Sequence, residues 1–151
     1  MSDAFRPAAA ADVPALLGLM EGLYAEDGYV PFERERAERA LRQLLGGPEL
    51  GRVWIAVGEA GEPVGYLVLT WGFSLEYGGR DAFIDELYLA RSHRGRGLGR
   101  EALATAEAAC RERGAGALHL EVERENVRAQ EFYRRGAFTA QDRYLMTRRI
   151  G

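Results

Sequence analysis

The run Arg94-Gly95-Arg96-Gly97-Leu98-Gly99-Arg100 constrains this chain more than any other stretch. It follows an apolar, strand-like segment at residues 82–89. It opens a segment in which Leu98, Ala102, Ala106, Ala109 and Cys110 recur at helical spacing. A strand, a glycine turn and a helix in that order leave unpaired amides at the helix N-terminus. Glycines let backbone amides converge on a small volume, because no Cβ blocks the approach. The helix dipole adds partial positive charge, and Arg94, Arg96 and Arg100 add full charges that stay protonated. The stretch therefore reads as an anion site suited to phosphate.

The type of phosphate ligand can be narrowed. No Gly-Lys-Ser/Thr follows the glycines, so the Walker pattern is absent. Gly97 to Ala102 formally fits G-x-G-x-x-G/A, with Glu121 and Glu123 about 20 residues further on. That fingerprint normally occupies the first strand-to-helix turn of a larger doubly wound domain. Here four expected strands and two expected helices precede the site, and too little chain follows. A dinucleotide-dependent oxidoreductase is the disfavoured alternative.

The rest of the chain supplies a mixed α/β domain. Phe5-Arg6-Pro7 reads as a short strand, and Asp12 as the cap of a helix with Val13, Leu16, Leu17, Met20, Leu23 and Tyr24 on one face. Gly28, Pro31 and Phe32 break it, and Ala37, Ala40, Leu41, Leu44 and Leu45 mark a second helix. Residues 53–57 and 64–71 read as a hairpin about Gly61-Glu62-Pro63. Residues 82–89 form a further strand carrying Asp85-Glu86. After the glycine loop and its helix come a strand at 118–122, a short helix at 126–135 ending at Gly136, and a last strand at 143–149. The order β-α-α-β-β-β-α-β-α-β predicts helices on a central sheet in one domain, residues 1–151.

Composition excludes several classes. Cys110 is the only cysteine, so neither a disulfide framework nor a cysteine-based zinc site is available. It falls among alanines and reads as a small buried hydrophobe. The net charge of −3 disfavours nucleic acid as the main partner. No apolar run reaches the ~18 residues of a membrane span, and the N-terminus lacks the parts of a signal peptide. A cytoplasmic protein is expected.

Two motifs now point to one family. Residues 87–99, Leu87-Tyr88-Leu89-Ala90-Arg91-Ser92-His93-Arg94-Gly95-Arg96-Gly97-Leu98-Gly99, resemble the central motif of the GNAT superfamily of N-acetyltransferases: a strand, then Q/R-x-x-G-x-G/A, then a helix. Residues 126–138 resemble that family's N-x-x-A-x-x-F-Y-x-x-x-G-F pattern. The resemblance covers most of the chain in the expected order, and the first sixty residues match in element order only. It implies a mixed sheet of about six or seven strands, splayed between the central strands and flanked by about four helices. It also implies acetyl-CoA as cosubstrate. The pyrophosphate would lie on Arg94, Gly95, Arg96, Gly97, Leu98 and Gly99, with Arg100 beside it. The pantetheine arm would run along Leu87 and Leu89, and Asn126, Ala129 and Phe132 would line the other wall. The Leu87 amide would polarise the thioester carbonyl.

Leu87 and Leu89 also suit a core, Asn126 also suits a helix cap, and Phe132 also suits packing. Asn126, Ala129 and Tyr133 share one helix face. Tyr133 is the candidate general acid: the leaving thiolate has a conjugate acid near pKa 8.5 by analogy with cysteine, and a phenol sits near 10. An alkylamine, near 10.4, arrives protonated and needs a base. Glu86 is favoured for that role, with Asp85 second. Adjacent strand residues point to opposite faces unless a bulge intervenes.

No metal is expected, since His93 and His119 are too few and too far apart to suggest a site. His119 reads as a surface strand residue. The acceptor side is placed at Tyr24, Glu26, Asp27, Tyr29, Trp71, Phe73, Glu76 and Tyr77, a mix of aromatics and acids that suits a small cationic amine. The Asp85-Glu86 strand and residues 132–136 resemble the diamine acetyltransferase branch. A homodimer is the default expectation from the family, and a non-catalytic acyl-CoA sensor is the alternative from a different class.

Overall fold

The computed structural model describes residues 4–28 and 30–151. Tyr29, placed on the acceptor side above, lies outside the described residues. The chain falls into two units, Met1–Glu121 and Val122–Gly151, each described by itself.

The first unit holds β1 (Phe5–Pro7), α1 (Val13–Asp27), α2 (Arg34–Leu45), β2 (Gly51–Val57), β3 (Pro63–Ser74), β4 (Gly79–Leu89), α3 (Leu98–Arg113) and β5 (Leu118–His119). They build one sheet in the order β1-β2-β3-β4-β5, antiparallel except for the parallel β4–β5 pair. The expected mixed α/β class holds. Val53, Ile55, Tyr66 and Val68 alternate onto one face of β2 and β3 and bury against Val13, Leu16 and Leu17 of α1 and Leu41 of α2. Each such aliphatic side chain contributes about 1.5–3 kcal/mol by leaving water. Trp54, Leu67, Leu69 and Ile84 have the opposite parity. They are buried, as are Ala102, Ala106 and Ala109 of α3. Small side chains on α3 let its backbone lie close to the sheet.

The β3–β4 ladder contains one irregularity. Leu69 pairs with Ile84 but Val68 pairs with Glu86, so Asp85 is an extra residue in β4. In an unbroken ladder Val68 would oppose Asp85, and Leu67 would oppose Glu86, which would then face α3. The bulge returns Glu86 to the α1 face, beside Tyr66.

Beyond this bulge β4 has little company on its other edge. β5 pairs only at Ala82↔Leu118 and Phe83↔His119. Among the described residues no strand pairs with that edge along residues 84–89, so the sheet opens there.

Among the described residues the sheet has five strands, where six or seven were expected. The segment 118–122 forms a ladder for two residues only, and residues 138–151 form neither helix nor ladder. Alternation makes a strand possible, but the strand exists only through a partner and a buried face. Tyr144, Leu145 and Met146 are instead exposed.

The second unit is built on α4 (Val127–Arg135). Asn126 caps it, its Oδ1 accepting from the Ala129 amide at 3.1 Å. The helix does not end on a left-handed Gly136, whose φ is −83°. The left-handed residue is Ala137, at φ 69°. The Phe138 amide donates to the Tyr133 carbonyl and the Ala137 amide to the Arg134 carbonyl, both at 3.0 Å. This is a Schellman arrangement, and the Phe138 and Tyr133 rings meet at 5.7 Å as its apolar contact. An L-residue in that conformation costs about 1–2 kcal/mol. Ala137→Gly is therefore expected to raise the local stability of α4 by about 1 kcal/mol, read as slower amide exchange of residues 130–135. Unchanged exchange would remove the strain argument.

Candidate active site

The glycine loop has the predicted geometry. β4 leads through a 3-10 turn, Arg91–His93, into Gly95 at φ 75° and Gly97 at φ 88°, and α3 begins at Leu98. Left-handed backbone of this kind turns successive amides inward, and a side chain at either position would be strained. The first-turn amides of Leu98, Gly99 and Arg100 have no carbonyl of their own helix to donate to. Arg96 and Arg100 are exposed beside them.

Arg94 is used differently. Its Nε donates to the Leu89 carbonyl at 2.8 Å, and one terminal nitrogen reaches both oxygens of Glu26 at 3.0 and 2.9 Å. Arg91 approaches the same carboxylate at 3.4 Å. The Arg94 guanidinium also lies 5.7 Å from the Tyr88 ring centroid. Arg94 therefore ties the loop to α1 and to the end of β4. Its hydrogen bond holds the Glu26 carboxyl below the usual carboxylate range.

Glu86 occupies the middle of the α1 face of β4. The Tyr24 hydroxyl donates to one carboxylate oxygen at 2.9 Å and the Tyr66 hydroxyl to the other at 2.8 Å. Burial pushes the Glu86 carboxyl up, the two phenols oppose that, and the neighbouring charges of Asp85 and Asp27 add to it. Asp85, in the bulge, is solvent-exposed. Leu87 and Leu89 are half-buried and pair with Leu67 and Gly65.

Of the residues assigned to the acceptor side, Tyr24 hydrogen-bonds Glu86, and Asp27 acts on it through its charge. Trp71 pairs with Ala82, about 10 Å of strand away from the Val68–Glu86 pair. Its ring lies between the guanidinium groups of Arg52 and Arg113, at 6.0 and 5.1 Å. The cationic partners of Trp71 are thus the protein's own. Trp71 and Phe73 line a cavity of about 350 Å³ with Glu49, Gly72, Arg80, Asp81 and Arg113. Glu76 stands in the exposed β3–β4 turn.

A pair that sequence reasoning passed over lies nearby. His119 Nε2 is 3.1 Å from Asp81 Oδ2, and its ring packs between Tyr77 and Phe83 at 4.9 and 5.3 Å. The parallel β4–β5 contact places His119 beside Phe83. Nothing in the local sequence signals a partner 38 residues upstream.

In the second unit, Asn126 and Ala129 make the capping bond already described. Tyr133 is half-buried between Phe132 and Phe138, with ring centroids 5.1 and 5.7 Å away. Desolvation pushes its phenol up. Among the described residues no group of three or more His, Cys, Asp or Glu could hold a metal. Among the described residues no helix is long and apolar enough to cross a membrane.

The model of the acetyltransferase (GNAT) family matches residues 18–137, which take in both units' motifs. The chain belongs to that family. Streptothricin acetyltransferase of Streptomyces lavendulae is 37% identical over 90 residues, covering 58% of this chain and 44% of the relative. The matched segment is thus under half that relative's length. Among solved structures, an integron cassette protein from the mobile metagenome of Cole Harbour Salt Marsh is 39% identical. It covers 97% of this chain and 90% of its own, at a TM-score of 0.84. A putative acetyltransferase from Arthrobacter sp. FB24 is 28% identical, covering 99% and 97%, at 0.81. Within this GNAT fold the loop, the open edge of β4 and Glu86 lie along one strand.

The Glu26–Arg94 pair gives a pH prediction. The carboxyl is depressed in the folded state, so its contribution is present above the ordinary value of 4.5 and is lost as pH falls through the folded value. Side-chain exposures of 25% and 38% limit the contribution to about 1 kcal/mol or less. Urea unfolding between pH 6 and 3 should show Glu26→Gln losing less stability on acidification than the parent. Equal acid slopes would show that the pair contributes nothing.

Proposed function

We propose that this GNAT family member is an acetyl-CoA-dependent N-acetyltransferase, in which the primary amine of a small cationic molecule attacks the thioester directly. The observation that carries the reading is the layout of β4. One strand bears a carboxylate held by two phenols, an edge along residues 84–89 with which no strand among the described residues pairs, and a two-glycine anion loop at its end.

The residues present fit the cosubstrate. Amides of residues 95–100 would hold its pyrophosphate, with Arg96 and Arg100 supplying charge and Gly95 and Gly97 the close approach. The edge at Leu87 and Leu89 would pair with the pantetheine arm, and Asn126, Ala129 and Phe132 are proposed as further cofactor-binding residues by their match to the family motif. Acetyl-CoA, when bound, supplies the acyl carbon and a thiolate leaving group.

Glu86 takes a proton from the arriving ammonium and so frees the lone pair. Asp85 adds negative charge beside it and is the second candidate for the base. The amide of Leu87 polarises the carbonyl. As the C–S bond breaks, Tyr133 gives its proton to the departing sulfur, the new amide nitrogen loses its surplus proton to solvent, and Tyr133 recovers one from solvent, so that together with the proton on Glu86 one proton is released per acetyl transferred. Its raised phenol stays protonated throughout the neutral range. The acids Asp85 and Glu86, with Tyr24 beside them, favour a cationic acceptor. The name of the streptothricin acetyltransferase relative supports an amine-bearing small molecule. The proposal extends to one catalytic domain spanning residues 1–151, cytoplasmic, dimeric and metal-free.

The test is thiol release from acetyl-CoA against a panel of streptothricin, aminoglycosides, polyamines, amino acids and peptides. Turnover with a cationic amine is expected, and tight acetyl-CoA binding with no turnover across the panel would instead favour a sensor. Tyr133→Phe should lower kcat about 100-fold or more with acetyl-CoA affinity kept. Gly97→Val should weaken acetyl-CoA binding at least tenfold, because a branched side chain resists φ near 90°. The rate should rise with pH through the Glu86 value, which burial sets above the usual carboxylate range.

A further inference from the structure

We infer that Tyr24 and Tyr66 are positioning residues that hold Glu86 ionised and fixed in orientation as the proton acceptor, an inference that rests on reading Glu86 as the base. The two phenols come from different elements and divide the carboxylate between them, Tyr24 on Oε2 at 2.9 Å and Tyr66 on Oε1 at 2.8 Å. Both are donors to an acceptor. A phenol donates more strongly to a charged carboxylate oxygen than to a neutral carboxyl, so both contacts favour the ionised form. The arrangement is therefore matched to the carboxylate. The oxygen on the less buried Tyr24 side keeps a further lone-pair direction for an incoming N–H.

The two phenols are not equivalent. Tyr66 is fully buried in the middle of β3, with its ring 6.3 Å from that of Tyr88. It cannot turn away without opening the α1 face of the core. Tyr24 stands near the end of α1, only partly buried, and its ring edge rests on Phe32 at 5.5 Å. Removing the Tyr66 hydroxyl leaves one carboxylate oxygen facing packed side chains with no replacement donor. Removing the Tyr24 hydroxyl leaves the other oxygen where water can reach. Burial raises both phenols, so they remain donors wherever Glu86 titrates.

The sequence hides this pair for a simple reason. Tyr66 reads as a core strand residue, which it also is, and its hydroxyl finds Glu86 only because the bulge at Asp85 brings the carboxylate to the same face.

The test follows Glu86 directly. The full chain is labelled with 13C at glutamate carboxyls, and the Glu86 signal is assigned with Glu86→Gln. The parent, Tyr66→Phe and Tyr24→Phe are then titrated by NMR. Tyr66→Phe should move the Glu86 midpoint up by about one pH unit, the size expected for losing a hydrogen bond to an ionised group. Tyr24→Phe should move it up by less. Midpoints unchanged in both variants overturn the inference. If Tyr66→Phe does not fold, the Tyr24→Phe midpoint decides. With acetyl-CoA and streptothricin as the assayed pair, the acid limb of kcat/KM should move with the NMR midpoint. A Glu86→Gln enzyme that keeps the parent rate and acid limb sinks the base reading, while the NMR shifts still decide the clamp. A Glu86→Gln enzyme that loses the limb, with Phe variants that leave the midpoint in place, sinks the clamp and keeps the base.

Discussion

One extra residue in β4 decides where the chemistry of this protein sits. Asp85 interrupts the ladder between Ile84 and Glu86, and side chains along a strand alternate with period two. A shift of one residue therefore transfers Glu86 from the α3 face to the α1 face. On the α3 side it would meet Leu67 and the apolar layer over the alanines. On the α1 side it meets two hydroxyl donors. A half-buried carboxylate is stabilised by such partners, because an unpaired one would carry a desolvation penalty with nothing to offset it. The bulge and the two tyrosines thus require one another.

The same helix that supplies Tyr24 also steadies the anion loop. Two residues further along α1, Glu26 holds Arg94 and lies near Arg91. Arg94 in turn reaches back to the Leu89 carbonyl at the end of β4. The last turns of α1, the end of β4 and the start of the glycine loop are therefore pinned by one charge-assisted set of hydrogen bonds. The three arginines of the loop differ in use. Arg94 is internal bracing, and Arg96 and Arg100 stay exposed at the start of α3.

Legibility followed locality. The strand–glycine–helix passage at 89–98 was readable because left-handed glycines and a helix start are decided by neighbours in sequence. The apolar faces of α1, α2 and α3 were readable from their spacing, and so was the burial of Cys110. Contacts between distant residues were not. The His119–Asp81 pair, the Tyr66–Glu86 bond and the guanidinium groups around Trp71 each depend on strand register. The end of α4 shows the limit at short range. Gly136 is the residue type expected in the left-handed position, yet Ala137 takes it, and the ring contact between Phe138 and Tyr133 accompanies that choice.

The sequence by itself determined an α/β chain with a phosphate-type loop in its second half and two family motifs, one containing that loop and one downstream of it. Those properties rest on short-range patterns of apolar spacing, glycine placement and charge. The tertiary structure alone decided that Glu86, not Asp85, is gripped on both oxygens, that Arg94 braces the loop, and that Trp71 stands apart from Glu86 on β3. The physical reason is that a strand's pairing register is a long-range quantity. It is fixed by the whole buried face at once, and one unpaired residue changes which side chains meet.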